Sequence, residues 1–480
     1  MIDTVRRMAL KNPGGLALED GNNQWTYEVL DRLVEERASQ LFRLGGGPGV
    51  NVLLASQVTV EAVEMVHSVL RTGSTLLPVN PLLGLQEGIF DKANPGIILV
   101  SKELENLFQP FLGSCVDRSG SLTGLESMGV WVSENINGLK SDQASRSTNF
   151  PAALILTSGT EGKPKAIPVM SEALEHSACA VRSRLGLSAE DRWYASLSLG
   201  HVGGLALIHR TAFIGSTLLV RERFSAEGLV EVIETKRVSH TSVVPTMLNK
   251  ILQIRGDKKA PPDLEALVVG GASTDAALLG KALSLGYPIV TTYGMTESCS
   301  QISTAPVELV KKKPGTVGAP IHGLEIKIGE DCEICVRGPT VADCVTDREG
   351  WFATGDLGEI DDDGHLWIRG RQKDIIITGG VNVDPVKVSN EIRCVPGVVE
   401  AVVVGLPHEV WGETVGALVV LESHGSMKES AMLKILSDRL SKPELPRMIS
   451  FGTEIPTSAN GKTDFEAVHL ILSRFSSRVS

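Results

Sequence analysis

No stretch of this chain approaches the roughly 18–20 consecutive apolar residues that a bilayer-spanning helix needs. Leu205-Ala-Leu-Ile208 is broken by His209-Arg210, and Leu218-Leu-Val220 by Arg221-Glu-Arg223. The opening Met1-Ile-Asp-Thr-Val-Arg-Arg-Met8 has no apolar core of signal-peptide length. An excess of positive charge is also lacking: 46 basic against 57 acidic residues leave a net charge of −11. That balance excludes bulk attraction to nucleic acid or anionic lipid and leaves only local basic pockets. Cysteines are scattered and odd in number, seven in 480 residues, which argues against a disulfide framework and for a reducing cytoplasm. Cys332 and Cys335 form a C-x-x-C, but no second pair follows at zinc spacing, and Glu333-Ile-Cys-Val-Arg337 alternates like a strand. No internal repeat is visible.

The remaining composition, 42% hydrophobic and 21% charged, is that of a globular protein. The length calls for two or more domains. Apolar β-branched runs (Val50–Ala55, Leu76–Val79, Ile97–Val100, Ala153–Leu156, Thr217–Val220, Thr241–Val244, Ala266–Val269, Ile289–Tyr293) alternate with helical patterns such as Thr26–Leu44 and Val58–Thr72. This is an α/β signature with partly parallel sheets. The segment from Ser119 to Asn149, rich in Ser, Gly and Asn, reads as a connection. Leu357–Ile360 and His365–Arg369 flank an Asp-Gly turn and read as a hairpin; its Asp triplet lacks EF-hand spacing. After Arg371 the pattern restarts as a smaller α+β unit: helix Pro385–Cys394, strands Val398–Val404 and Glu413–Leu421, helix Met427–Leu440. The division is placed between residues 1–370 and 371–480.

The most informative segment is Thr157-Ser-Gly-Thr-Glu-Gly-Lys-Pro-Lys165, directly after an apolar strand. Hydroxyls, glycines and lysines at this density can turn many donors toward one phosphate. Walker spacing does not apply, since Gly159 and Gly162 are two residues apart and Pro164 follows Lys163. A surface turn has the same composition, so other segments must decide. Gly270-Gly271-Ala272-Ser273 follows a strand, as backbone approached by a ligand would. Thr291-Thr-Tyr-Gly-Met-Thr-Glu297 offers an aromatic face, hydroxyls and a carboxylate, suited to a purine, phosphate and Mg²⁺. Trp351-Phe-Ala-Thr-Gly-Asp356 offers a carboxylate to ribose hydroxyls, Gly370-Arg371-Gln-Lys373-Asp374 a guanidinium, and Pro456-Thr-Ser-Ala-Asn-Gly-Lys462 an amine after an Asn-Gly turn.

Together, and in this order, these segments resemble the adenylate-forming superfamily of acyl-CoA synthetases, adenylation domains and luciferases. The resemblance runs from Trp25-Thr-Tyr27 to Lys462. It implies a large N-terminal domain of stacked mixed sheets with helices and a small mobile C-terminal domain. It implies ATP, Mg²⁺ and coenzyme A as ligands. Thr157, Ser158, Gly159, Thr160 and Lys165 would hold the phosphates. Tyr293 would stack on adenine beside Gly271, Ala272, Thr292 and Gly294. Thr296 would touch phosphate, and Glu297 with Thr160 would place Mg²⁺. Asp356 and Arg371 would take the ribose, and Lys462 the adenylation step. Lys373 would be the hinge, and Gly379-Gly380 would face the pantetheine arm. The chain departs from the family pattern at Glu161, Ala166, Val381 and Asp384.

His201-Val-Gly-Gly, Arg210 nine residues on, and Thr292-Tyr-Gly-Met-Thr-Glu-Ser-Cys-Ser-Gln-Ile302 resemble most the o-succinylbenzoate–CoA ligases of menaquinone and phylloquinone biosynthesis. His201 then serves the acyl pocket or a thiol gate, or is a structural histidine. Arg210 faces a second substrate carboxylate with Ser303 and Thr304, or is a structural residue of its helix. Other aryl- or medium-chain acyl-CoA synthetases, a free-standing adenylation enzyme and a silent nucleotide-binding regulator share these motifs. A homo-oligomer is compatible with everything above.

Overall fold

In the computed structural model, residues 3–21, 23–80, 93–112, 115–119, 122, 127–134, 136, 150–157, 165–221, 225–272, 274, 276–422, 427–457 and 463–476 are described. Four sheets are built from them.

The first sheet has seven strands in the order Cys115–Asp117, Met128–Ser133, Ile97–Ser101, Asn51–Ala55, Thr75–Val79, Ala153–Thr157, Lys165–Val169. Its centre is parallel and its outer pairs antiparallel. Asn51–Ala55 and Thr75–Val79 are buried at every position, as strands covered on both faces must be. The helix that joins them, Val60–Thr72, begins where the Thr59 hydroxyl accepts the Ala62 N–H. It stops at Gly73, whose φ of +76° gives the left-handed cap.

The second sheet has eight strands in the order Ser300–Ala305, Ile289–Met295, Ala266–Val269, His240–Val243, Arg192–Tyr194, Thr217–Val220, Leu16–Asp20, Asn23–Thr26. All but the two outermost pairings are parallel. Helices Ser171–Leu185 and Val202–Ile214 pack together, and Leu174, Val181, Leu205 and Leu207 join Val52, Leu76, Trp193 and Val268 in one core that ties the two sheets. A third, antiparallel sheet (Glu325–Ile328, Glu333–Arg337, Phe352–Ile360, Leu366–Arg371) sends Ile334, Val336 and Leu366 into the same core.

The fourth sheet carries Val381–Val383, Ile376–Thr378, Gly412–Leu421 and Val398–His408, with Met448–Gly452 parallel to Gly412–Leu421. Its cores hold only residues from Ile376 onward, while the cores of the first three sheets end at Ile368. The buried clusters therefore divide between Ile368 and Ile376.

Most expected strands form within one or two residues of the expected ends. The strand from Val398 runs on to His408 because it pairs with Gly412–Leu421 along its whole length. The helix expected over Met427–Leu440 forms only over Glu429–Leu436. Beyond it the Ser437 hydroxyl bonds back to the Lys434 carbonyl, and Ser441 binds Glu444 through both N–H and hydroxyl, which draws the chain into turns. The Asp361–Gly364 turn is held by Lys313, whose amine lies 2.7 Å from Asp361 Oδ2 and 2.5 Å from Asp363 Oδ2.

Candidate functional site

Three strands of the large lobe lead into the segments singled out by the sequence. Ala153–Thr157 and Lys165–Val169 form a hairpin in which Thr157 and Lys165 face one another. That pairing brings the two ends of the phosphate-loop segment together. Ser158, Gly159 and Thr160 fall outside the described residues, as does Lys462.

Strand Ala266–Val269 leads into Gly270-Gly271-Ala272. A Cβ on Gly270 would lie 2.6 Å from Thr292 Cγ2, and Gly271 sits at φ +79°. Both positions need glycine: one for close approach, the other for a left-handed backbone. The neighbouring strand Ile289–Met295 carries Tyr293 and Gly294. A Cβ on Gly294 would lie 1.6 Å from the Ser300 carbonyl oxygen, because the register shifts between Tyr293 and Gly294. Cys299 and Ser300 absorb the turn with φ of +54° and +92°, a strained pair for residues with side chains. The short turn Thr296–Ser298 between them is fixed by the Ser298 hydroxyl, which accepts the Met295 N–H and donates to the Met295 carbonyl. Thr296 and Glu297 border a cavity of about 220 Å³ shared with Val169, Glu172, Cys299, Pro339 and Asp343. The Glu297 carbonyl accepts the Ala342 N–H at 2.8 Å, which anchors the turn to the cavity wall. Among the described residues no lysine or arginine pairs with the Glu297 carboxylate. A half-buried, unneutralised oxygen donor at a cavity suits a hard cation such as Mg²⁺.

Asp356 is 5% exposed and is gripped from two sides. The Tyr293 hydroxyl donates to Oδ2 at 2.8 Å, and Arg371 Nε approaches Oδ1 at 2.9 Å from the facing strand. Burial, reinforced by the Asp356 charge, holds the Tyr293 phenol well above its usual pKa, so it stays a proton donor. Tyr293, Asp356 and Arg371 thus form one unit. The sequence singled out each of the three but not the bond between Tyr293 and Asp356, which spans 63 positions.

Arg210 lies on helix Val202–Ile214 and is buried, not at the surface. Its guanidinium carbon sits 5.8 Å from the centre of the Trp193 ring. Burial lowers its pKa to about 10. Among the described residues no carboxylate pairs with it, and its Nε has no hydrogen-bond partner. Cys299, whose thiol burial pushes up to about 12, is close enough to feel the Arg210 charge.

Ser303 and Thr304 are adjacent in strand Ser300–Ala305, so their side chains point to opposite faces. The register chain Thr304–Thr292, Val290–Val268, Ala266–His240–Trp193 places Thr304 on the sheet face of Trp193 and Arg210. Ser303 pairs with Tyr293 on the reverse face.

His201 is half-buried at the start of its helix, with its N–H on the Ser198 carbonyl. Lys373 is exposed in the short turn Gln372–Asp374, directly after the Asp356 partner Arg371. Gly379 and Gly380 form a two-residue hairpin turn at φ +57° and +79°. Gly379 also backs onto Trp411, 2.5 Å from where a Cβ would be.

Residues 5–345 match the family model of the AMP-binding enzymes, and residues 387–462 match that of the AMP-binding enzyme C-terminal domain. The 2-succinylbenzoate–CoA ligase of Bacillus licheniformis is 31% identical, over 95% of this chain and 97% of its own. The o-succinylbenzoate CoA synthetase of Bacillus subtilis, solved with its acyl-adenylate OSB-AMP, superposes with a TM-score of 0.83 at 27% identity, covering 96% of this chain and 97% of that one. The same synthetase solved with ATP and magnesium also gives 0.83, at 26% identity and 98% and 99% coverage. With both family models matching in order across the lobes described above, the chain belongs to the AMP-binding, adenylate-forming enzymes.

Proposed function

We propose that this protein is an ATP-dependent acid–CoA ligase whose acid is o-succinylbenzoate. The carboxylate and ATP give acyl-AMP and pyrophosphate; coenzyme A then gives the thioester and AMP. A carboxylate is a poor nucleophile toward a polyanionic phosphate, so the site must supply positive charge and oriented donors. Glu297 and Thr160 would hold Mg²⁺, which would supply Lewis acidity at the phosphates. Thr157, Lys165, Thr296 and the loop between Thr157 and Lys165 present donors to the same oxygens. Asp356 and Arg371 take the ribose, while Gly271 and Ala272 let adenine approach beside Tyr293. Residues 371–480 act as a separate lobe hinged at Lys373, which brings Lys462 to the phosphorus for the first step. Gly379-Gly380 then serve the pantetheine arm. The work is cytoplasmic, within quinone biosynthesis.

The observation that carries the choice of acid is Arg210. A buried guanidinium without a carboxylate is costly, and its natural complement is an anion brought by the ligand. o-Succinylbenzoate has one carboxylate to activate and another to spare. Incubating the protein with ATP, Mg²⁺, coenzyme A and a panel of acids tests this directly. Thioester should form with o-succinylbenzoate; turnover of fatty acids without turnover of o-succinylbenzoate would reject the assignment.

A further inference from the structure

Arg210 does not stand alone in the core. Trp193, fully buried on strand Arg192–Tyr194, has the Arg210 guanidinium carbon 5.8 Å from its ring centre. The same indole stacks on the His240 imidazole, with centroids 4.8 Å apart and planes 23° apart. His240 in turn places Nδ1 2.7 Å from the Ser239 hydroxyl and 3.6 Å from Asp191 Oδ1. Asp191 is itself fixed by the Ser188 N–H at 2.7 Å on Oδ2. Asp191, His240 and Glu265 have the spacing of a cation site, but the Ser239 hydroxyl already engages Nδ1 and the Arg210 charge lies nearby. The grouping is better suited to orienting a ring than to holding a metal.

We infer that the Trp193–His240 stack aims the Arg210 guanidinium, and that these two positioning residues set the preference for acids carrying a second carboxylate. A long arginine side chain without a protein carboxylate would otherwise sample many rotamers, at an entropic cost paid on each binding event. An aromatic plane beneath the guanidinium fixes its orientation and leaves its edge free for a bidentate carboxylate. Burial lowers the His240 pKa to about 4 despite Asp191, so the imidazole is neutral at pH 7 and does not repel Arg210. Cys299 lies between the two regions, close enough to feel the Arg210 charge and bordering the cavity of Thr296 and Glu297.

This inference rests on the reading of Arg210 as the anchor of the spare carboxylate, and the test separates the two. Steady-state kcat and KM are measured for o-succinylbenzoate and for 4-oxo-4-phenylbutanoate, the same acid without the ring carboxylate. Wild type, Arg210→Met, Trp193→Leu and His240→Gln are compared. Trp193→Leu and His240→Gln should each raise KM for o-succinylbenzoate about tenfold while changing the monocarboxylate's KM less than about twofold. Arg210→Met should abolish the preference between the acids. Equal losses on both acids, or no loss, in Trp193→Leu and His240→Gln would overturn the inference. If Arg210→Met keeps the preference, the anchor reading fails first. Should Trp193→Leu not fold, His240→Gln carries the same comparison.

Discussion

Removing one oxygen atom from Tyr293 probes the part of the site that spans two sheets. Tyr293→Phe keeps the ring and deletes the hydroxyl that donates to Asp356 Oδ2 at 2.8 Å. Asp356 is almost fully buried, and its other partner, Arg371, grips Oδ1 from a half-exposed position. Losing a hydrogen bond to a charged, buried acceptor costs roughly 1.5–3 kcal/mol. At about 1.36 kcal/mol per decade this corresponds to roughly 10- to 150-fold. Arg371 remains, so the lower end is expected. With Asp356 assigned to the ribose as proposed, the loss should appear as a rise of about tenfold in KM for ATP, because the bond orients that carboxylate. KM for the acid should change little. The decisive form is a double-mutant cycle of Tyr293→Phe and Asp356→Asn, followed by ATP titration. Coupled groups should show an interaction energy of about 1 kcal/mol or more. Strict additivity, or an unchanged KM for ATP in Tyr293→Phe, would refute the claim that the hydroxyl positions Asp356.

Three further outcomes are expected. Gly294→Ala would drive a Cβ into the Ser300 carbonyl, so its thermal midpoint should fall by several degrees or it should not fold; an unchanged midpoint would contradict the register shift at Tyr293. Burial lowers His67 and His240 to about 4 and His209 to about 3, while burial raises Glu64 to about 7. Between pH 6.5 and 4.5 the unfolded chain therefore binds three protons the native histidines refuse, while native Glu64 binds one the unfolded chain does not. Stability should drop by roughly 2 kcal/mol per pH unit as pH falls through that window. Flat urea-unfolding free energies there would contradict the burial of these groups. Lys462→Ala should abolish acyl-AMP formation yet leave thioester formation from supplied acyl-AMP largely intact, as followed by quenched-flow of each half-reaction. Equal loss of both would contradict its assigned role.

Much of the fold was legible because burial writes itself into composition. Asn51–Ala55 and Thr75–Val79 lie in a parallel centre covered on both faces, and their apolar runs have no other use. The glycines were legible for a related reason: Gly270, Gly271, Gly294, Gly379 and Gly380 stand where backbone meets backbone or turns left-handed. Contacts set by long-range register were not legible. Nothing local to Tyr293 marks Asp356 as its partner, and nothing near Arg210 marks Trp193 or His240 beneath it. Ser303 and Thr304 look equivalent in sequence, and only the strand's alternation and its register separate them. The overextended Met427–Leu440 helix fails for a third reason. Ser437 and Ser441 offer the backbone competing bonds that an apolar spacing pattern does not register.

The most direct measurement is ATP–pyrophosphate exchange with labelled pyrophosphate in the absence of coenzyme A. The account requires that the protein reversibly form an acyl-adenylate with o-succinylbenzoate, so exchange should depend on adding that acid and should vanish in Lys462→Ala. Exchange that is absent with o-succinylbenzoate, while the protein is folded and supplied with Mg²⁺, would contradict it.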